Sequence, residues 1–258
     1  MRLFYKDYEL HSFALNENGY LVPFCPNFFK FPNYKNEISD YVVKPEDNFE
    51  YFSEANILTK VNLNEENYFD FNKAILDIGA HVGCYSFRSN FKYVYAFEPN
   101  KIIFSCLNIN LLMHNKFNNS KTFNVLLSDK NEEVEYDGYH TYLDDQPNEM
   151  FNDYDNSIIT YRYNEKVKTH TLDEYNLDNI GLIKIDVEGM EEKVLRGGLG
   201  TIIRNNYPPI LFELWNINQY GMTEQKHNSL QKFLNDLGYE IIWQWGDSSE
   251  FTHLALHK

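Results

Sequence analysis

Residues 74 to 99 read AILDIGAHVGCYSFRSNFKYVYAFEP, and no other stretch constrains the fold as much. A short apolar run ends in Asp77. The turn Gly79-Ala80-His81-Val82-Gly83 follows at once. A second apolar run, Tyr93 to Phe97, then ends in Glu98 and Pro99. This is strand, glycine loop, helix, strand, acid, and its length is that of one βαβ unit. An acid at the tip of the second strand of such a unit can accept hydrogen bonds from both ribose hydroxyls of a nucleoside. The stretch therefore points to an adenosine-containing cofactor.

The loop narrows the choice. A dinucleotide fingerprint needs G-x-G-x-x-G, because its second glycine lets the backbone approach a pyrophosphate. Here His81 stands where that glycine belongs. Such a loop suits a cofactor without phosphates, and S-adenosylmethionine carries an amino-acid tail and a sulfonium instead. The plainer alternative is that Gly79 and Gly83 serve only a tight turn. Asp77 and Glu98 in register favour nucleoside binding.

From Lys73 onward strands and helices alternate. Ala74–Ile78 reads as a central parallel strand covered on both faces. A short helix is expected over about 82–91, a strand over Tyr93–Phe97, a helix over 100–114 and a third strand over 122–127. Residues 133–136 read as an edge strand or hairpin arm. A fourth strand is expected over 182–186, a helix from Glu188 closed by Gly197 and Gly198, and a fifth strand over 210–214. Leu230, Phe233, Leu234 and Leu237 share one face of a helix over 222–237. Runs at 240–243 and 252–256 flank a turn and form a terminal antiparallel pair. The fold class is α/β: a doubly wound, mostly parallel sheet of about seven strands with an antiparallel C-terminal strand. Residues 1–70, rich in proline and aromatics, read as an N-terminal extension with a possible helix over 45–58. It is a lid or an oligomer arm, which leaves room for a homo-oligomer. Residues 71–258 form the main domain, interrupted by a polar, irregular insertion at 137–166; a loop that long is usually functional or disordered.

Composition excludes several classes. The formal net charge of −15 argues against a nucleic-acid partner, because such binding rests on Lys and Arg neutralising phosphates. It also disfavours anionic membrane surfaces. No run approaches the ~18 apolar residues of a membrane span. The first residues carry charges and no apolar signal-peptide core. Cys25, Cys84 and Cys106 are odd in number and form no C-x-x-C pair, which fits reduced thiols in a cytoplasmic protein.

In open α/β sheets the ligand lies beyond the carboxyl ends of the strands. Those ends carry Asp77, Glu98, Ser128-Asp129, Asp186 with Glu188, and Glu213. Acids near helix N-termini can simply favour the helix dipole, which covers Glu188 and Asp129. Asp186 and Glu213 follow apolar runs, where a buried carboxylate needs a partner. Lys184 sits within the run Leu182-Ile183-Lys184-Ile185 and shares a strand face with Asp186. It is either a structural ion pair with Asp186 or Glu213, or a substrate-orienting cation or base. His140 and His170 bracket the insertion and are candidate bases, though a loop histidine is more often solvated. His81 is better placed to orient the cofactor or the loop. Trp215, Tyr139 and Tyr142 are candidates for stacking on a flat ligand, with packing an equal alternative.

The segments LDIGAHVGCYS, VYAFEPN, NVLLSD, THTLDEY, LIKIDVEGMEEKVLRGG and PPILFELW, in this order, resemble the FkbM-type family of S-adenosylmethionine-dependent methyltransferases. The resemblance covers about residues 73–215. It implies methyl transfer to a hydroxyl oxygen of a small-molecule or glycan acceptor. It further implies that Asp77, Gly79, Ala80, His81 and Gly83 form the methionine-side loop. Glu98, followed by Pro99, would hold the ribose, Ser128 and Asp129 would approach the adenine, and Asp186 would lie near the methyl. The family commonly has Asn at the position of His81. Asp186, Glu213 and Lys184 are the candidates for proton removal and acceptor positioning. Some sugar methyltransferases use Mg²⁺ to acidify a hydroxyl, and Asp186 and Glu213 offer oxygen ligands for one. The competing readings are a nicotinamide-dependent oxidoreductase on a related sheet and a non-catalytic scaffold that keeps the fold.

Overall fold

The computed structural model describes residues 68–136, 165–217, 222–246 and 250–258, and the backbone of four short N-terminal strands. Leu3–Tyr5 pairs antiparallel with Tyr8–Leu10, and Ser12–Leu15 with Leu21–Phe24. The helix expected over 45–58, Tyr139, His140, Tyr142 and nearly all of the 137–166 insertion lie outside the described residues.

The main domain begins with β1 (Ala74–Ile78), α1 (Cys84–Arg88), β2 (Tyr93–Phe97), α2 (Lys101–Met113) and β3 (Ser120–Phe123). Three short strands follow: β4 (Leu126–Leu127), β5 (Glu133–Tyr136) and β6 (Glu165–His170). Then come β7 (Ile180–Ile185), α3 (Glu191–Gly197), α4 (Leu199–Arg204), β8 (Ile210–Trp215), α5 (Glu224–Asp236), β9 (Tyr239–Gly246) and β10 (Glu250–His257). Seven strands form one sheet in the order β9-β10-β8-β7-β1-β2-β3. β10 alone runs opposite to the other six strands. The chain order reverses between β1 and β7, which makes the carboxyl edge there a topological switch point.

Both faces of the sheet are covered, as the continuous apolar runs require. Every residue of β1 and β7 is buried. Ile75, Leu182 and Leu211 pack with Val94 and Ala96 against Tyr85, Phe87, Leu107 and Leu111 of α1 and α2. Leu76, Ile183 and Phe212 face the other way, onto Val194, Leu195, Ile202, Leu230 and Phe233 of the later helices. Period-two alternation thus divides each strand between two cores. Burying side chains of this size contributes roughly 1.5–3 kcal/mol each.

Several boundaries differ from the sequence reading. The third strand breaks after Phe123 and its last residues leave the main sheet. Leu126 and Leu127 pair with β6, which also pairs with β5, so the arm expected at 133–136 belongs to a separate three-stranded sheet. The helix expected over 82–91 is shorter at both ends, because Gly83 is left-handed and Ser89 is extended. The helix expected from Glu188 starts at Glu191, because Glu188 and Gly189 hold positive φ. Gly198 ends α3 as expected, but α4 follows at once. Its first amide groups are satisfied from far along the chain: Gly200 and Thr201 N–H donate to Asp173 at 2.9 and 2.6 Å.

Candidate functional site

The glycine loop is held where the switch point needs it. Gly79 and Gly83 hold φ of +68° and +92°, which glycine adopts without a Cβ penalty. A Cβ on Gly79 would stand 1.8 Å from the carbonyl oxygen of Asp186, so the backbones of the two strand ends nearly touch. Ala80 is buried, and its N–H donates to Phe97 O at 2.9 Å.

Glu98 closes the loop from the neighbouring strand. Its Oε2 accepts the His81 N–H at 2.9 Å and its Oε1 accepts the Asn100 N–H at 2.8 Å. Burial pushes its carboxyl up to about 7, against the pull of those two amides. Each oxygen keeps a further lone pair for a ligand hydroxyl. Two residues to which the sequence reading gave no site role steady this corner. Asn100 Oδ1 accepts from Ile103 N–H and caps α2, and Asn124 Nδ2 donates to the carbonyls of Glu98 and Pro99. Asn100, set before an apolar helix, carried an N-cap signal. Asn124 carried none, because its partners lie more than twenty residues away.

His81 holds φ of +50°. Its side chain is open to solvent, yet protein surrounds it at longer range. That enclosure first, and Lys184 second, lower its pKa below the usual histidine value, with Asp186 opposing.

Beneath the loop lies a buried polar cluster. Lys184 and Asp77 are direct partners across β7 and β1. Lys184 Nζ donates to Gly79 O at 2.8 Å and lies 3.5 Å from Asp77 Oδ1 and 3.6 Å from Asp186 Oδ2. The Tyr85 ring lies below the ammonium at 5.1 Å. Ser86 Oγ donates to Asp77 Oδ2 at 2.6 Å. Asp77 is fully buried, so its carboxylate supports the loop from below. Asp186 is 30% exposed and faces the carboxyl edge. The cluster thus ties both strand ends and the loop to one cation.

The remaining candidates lie around it. Ser128 is buried, its N–H donates to His170 O at 2.9 Å and its hydroxyl bonds Asp129 at 3.2 Å. The His170 ring lies 2.9 Å from Glu174. Glu213 accepts from Trp215 Nε1 at 3.1 Å, and Trp215 is buried in the core. Glu191, quoted in the LIKIDVEGMEEKVLRGG segment but given no role by the sequence reading, is buried and accepts the Val187 and Gly189 N–H groups. Among the described residues no group of three or more His, Cys, Asp or Glu comes together to hold a metal. The Mg²⁺ expectation at Asp186 and Glu213 is therefore not supported. No described helix is long and apolar enough to cross a membrane.

The chain is similar to several solved structures. It is similar to a methyltransferase FkbM from Methylobacillus flagellatus KT, at 15% identity and a TM-score of 0.47, over 72% of this chain. It spans 44% of that protein's length. It is similar to precorrin 8w decarboxylase from Methanobacterium thermoautotrophicum at 11% identity and a TM-score of 0.45, covering 85% of this chain and 98% of the other. A third likeness is to TrmK from M. capricolum, solved with S-adenosyl-homocysteine, at 12% identity and a TM-score of 0.41, covering 76% and 67%. Among curated proteins none matches significantly. The family model described as the methyltransferase FkbM domain matches residues 77–241, more than half of the chain and the whole of the site above. The chain belongs to the FkbM methyltransferase family.

Proposed function

We propose that this protein transfers a methyl group from S-adenosylmethionine to a hydroxyl oxygen of a sugar, glycan or other small hydroxylated acceptor. The observation that carries the reading is Glu98, which grips the glycine loop through the His81 amide and keeps lone pairs for a ribose. Gly79 and Gly83 hold the left-handed backbone that packs the loop against β7 and α2 with no Cβ in between. Ser128 and Asp129 follow β4 and are the candidates for the adenine side. The residues present therefore fit this cofactor.

S-adenosylmethionine, when bound, supplies a methyl group already activated on a sulfonium. The chain's task is to align and to move a proton. Holding an acceptor oxygen in line can contribute about 7–11 kcal/mol. Asp186 is partly exposed beside the loop and suits the uptake of the hydroxyl proton as the new carbon–oxygen bond forms. Lys184 keeps Asp186 and the Gly79 carbonyl fixed relative to each other. Glu213 follows Phe212, the residue paired with Ile185 beside Asp186, and suits acceptor positioning.

Calorimetric titration with S-adenosylmethionine and with its demethylated product, NADH serving as control, tests the reading. Micromolar binding of either with NADH silent is the expected result, followed by turnover on a panel of sugars. NADH binding with no response to the other two would overturn the proposal in favour of the oxidoreductase.

A further inference from the structure

We propose that Glu191 is a positioning residue of the transfer site, whose buried carboxylate fixes the turn Val187–Gly189 and so sets where Asp186 stands. The turn is unusual in its backbone. Glu188 holds φ of +56° and Gly189 holds +87°. A left-handed glutamate is strained and persists only when its surroundings hold it. Glu191 Oε1 supplies that hold, since it accepts the Val187 N–H at 3.0 Å and the Gly189 N–H at 3.2 Å. Two N–H groups converging on one carboxylate oxygen form a small anion nest filled by the chain itself.

The turn is also pinched from outside. A Cβ on Gly189 would meet Trp215 at 3.3 Å, and Trp215 in turn donates to Glu213. On its other flank Asp186 N–H donates to Ile78 O, and Asp186 O closes over Gly79. The turn therefore lies between the glycine loop and the start of α3, where Glu191 stands. Burial pushes its carboxyl up to about 7, with the Val187 amide pulling down and the charge of Asp186 adding to the push. A carboxylate with no task beyond opening a helix has no reason to be 3% exposed beside another acid. No other described side-chain acceptor reaches the Val187 and Gly189 amides.

This inference rests on the reading of the carboxyl edge as the methyl-transfer site. Amide exchange reports on the turn without any ligand, so the two can fail separately. The experiment compares wild type, Glu191→Ala and Glu191→Gln by hydrogen exchange at Val187 and Gly189 and by calorimetry with S-adenosylhomocysteine. Glu191→Ala is expected to speed exchange of both amides at least tenfold while those of β1 and β7 keep their protection. It should also weaken binding about tenfold. Glu191→Gln keeps an acceptor oxygen and is expected within about threefold of wild type in both. Wild-type exchange in Glu191→Ala overturns the proposal. So does a uniform rise in exchange across the sheet that Gln does not rescue, which is the mark of a general stabiliser. If Glu191→Ala does not fold, loss of both signals in a folded Glu191→Gln overturns it. If wild type does not bind the product, the methyl-transfer reading fails, and exchange alone decides whether Glu191 holds the turn.

Discussion

Gly79 and Asp186 meet so closely that no side chain fits between them: a Cβ on Gly79 would lie 1.8 Å from the Asp186 carbonyl oxygen. The obstacle is backbone, which cannot swing aside as a side chain can. Gly79→Ala must therefore part β1 from β7 at the point where the loop and Asp186 face each other, and must also hold φ of +68°. A loss of roughly 2–4 kcal/mol is expected, together with loss of cofactor binding. Gly83→Ala meets the end of the flexible Leu107 side chain, and its cost should stay nearer about 1–2 kcal/mol. Denaturant melts of the two variants check the ranking; an equal or reversed order would contradict it.

Lys184 is the cation on which the loop depends. Replacing it with Met leaves fully buried Asp77 without its charge partner and removes the donor to Gly79 O. Breaking a buried pair from one side costs about 3–5 kcal/mol. Asp77→Asn added to Lys184→Met should recover part of the stability, since the stranded charge is gone. It should not recover cofactor affinity, because the Gly79 carbonyl still lacks its donor. A double-mutant cycle read by melting and by calorimetry separates the two effects. Recovery of both together would show that Lys184 serves only charge balance.

Glu98 predicts a pH dependence with a definite sign. Its carboxyl is raised to about 7 by burial, so in the free protein it is largely protonated at pH 6 and ionised at pH 8. Ribose hydroxyls favour the ionised form, so binding should release a proton and tighten as pH rises. If the bound form is fully ionised, affinity grows about tenfold between pH 6 and 8. The linked effect on folding runs the other way. Glu98 and Glu191 are both raised, so each contributes stability that is full below the unfolded carboxyl pKa of 4.5 and is lost as pH rises through about 7. Calorimetry in buffers of different ionisation enthalpy counts the proton, and Glu98→Gln should flatten the profile. A flat wild-type profile would sink the ribose assignment.

The sheet was legible because its signals are local. β1, β2 and β7 are apolar runs closed by an acid, and Lys184 inside such a run announces a partner two residues on, where Asp186 lies 3.6 Å away. The split after Phe123 and the second sheet were not legible, because each depends on residues distant in the chain. Asn124 reaches back to Glu98, and Asp173 caps a helix that begins at Leu199. Asp77 taught a subtler lesson. Its position at a strand tip suggested a ligand contact, but Ser86 and Lys184, both buried, take up its carboxylate. Only three-dimensional neighbours distinguish an acid that faces a ligand from one that carries the loop.

Gly197 marks the far side of the site. It looked like a helix stop, and α3 does end there, but the residue answers a second need. A Cβ on it would stand 2.1 Å from the Ser128 carbonyl oxygen and 3.1 Å from Asp129 Cα. The last turn of α3 therefore lies directly against the backbone that carries the proposed adenine contacts. Gly197→Ala has no φ penalty and sits in a helix, where alanine is intrinsically favoured by about 1 kcal/mol. Any loss must then come from displacing Ser128 and Asp129. The expected outcome is a net loss of about 1–3 kcal/mol in stability and a cofactor affinity reduced at least tenfold. Competition with adenosine alone should weaken in parallel, since the adenine side has moved while Glu98 and the glycine loop have not. Wild-type affinity for both ligands in Gly197→Ala would mean that Ser128 and Asp129 do not form the adenine subsite.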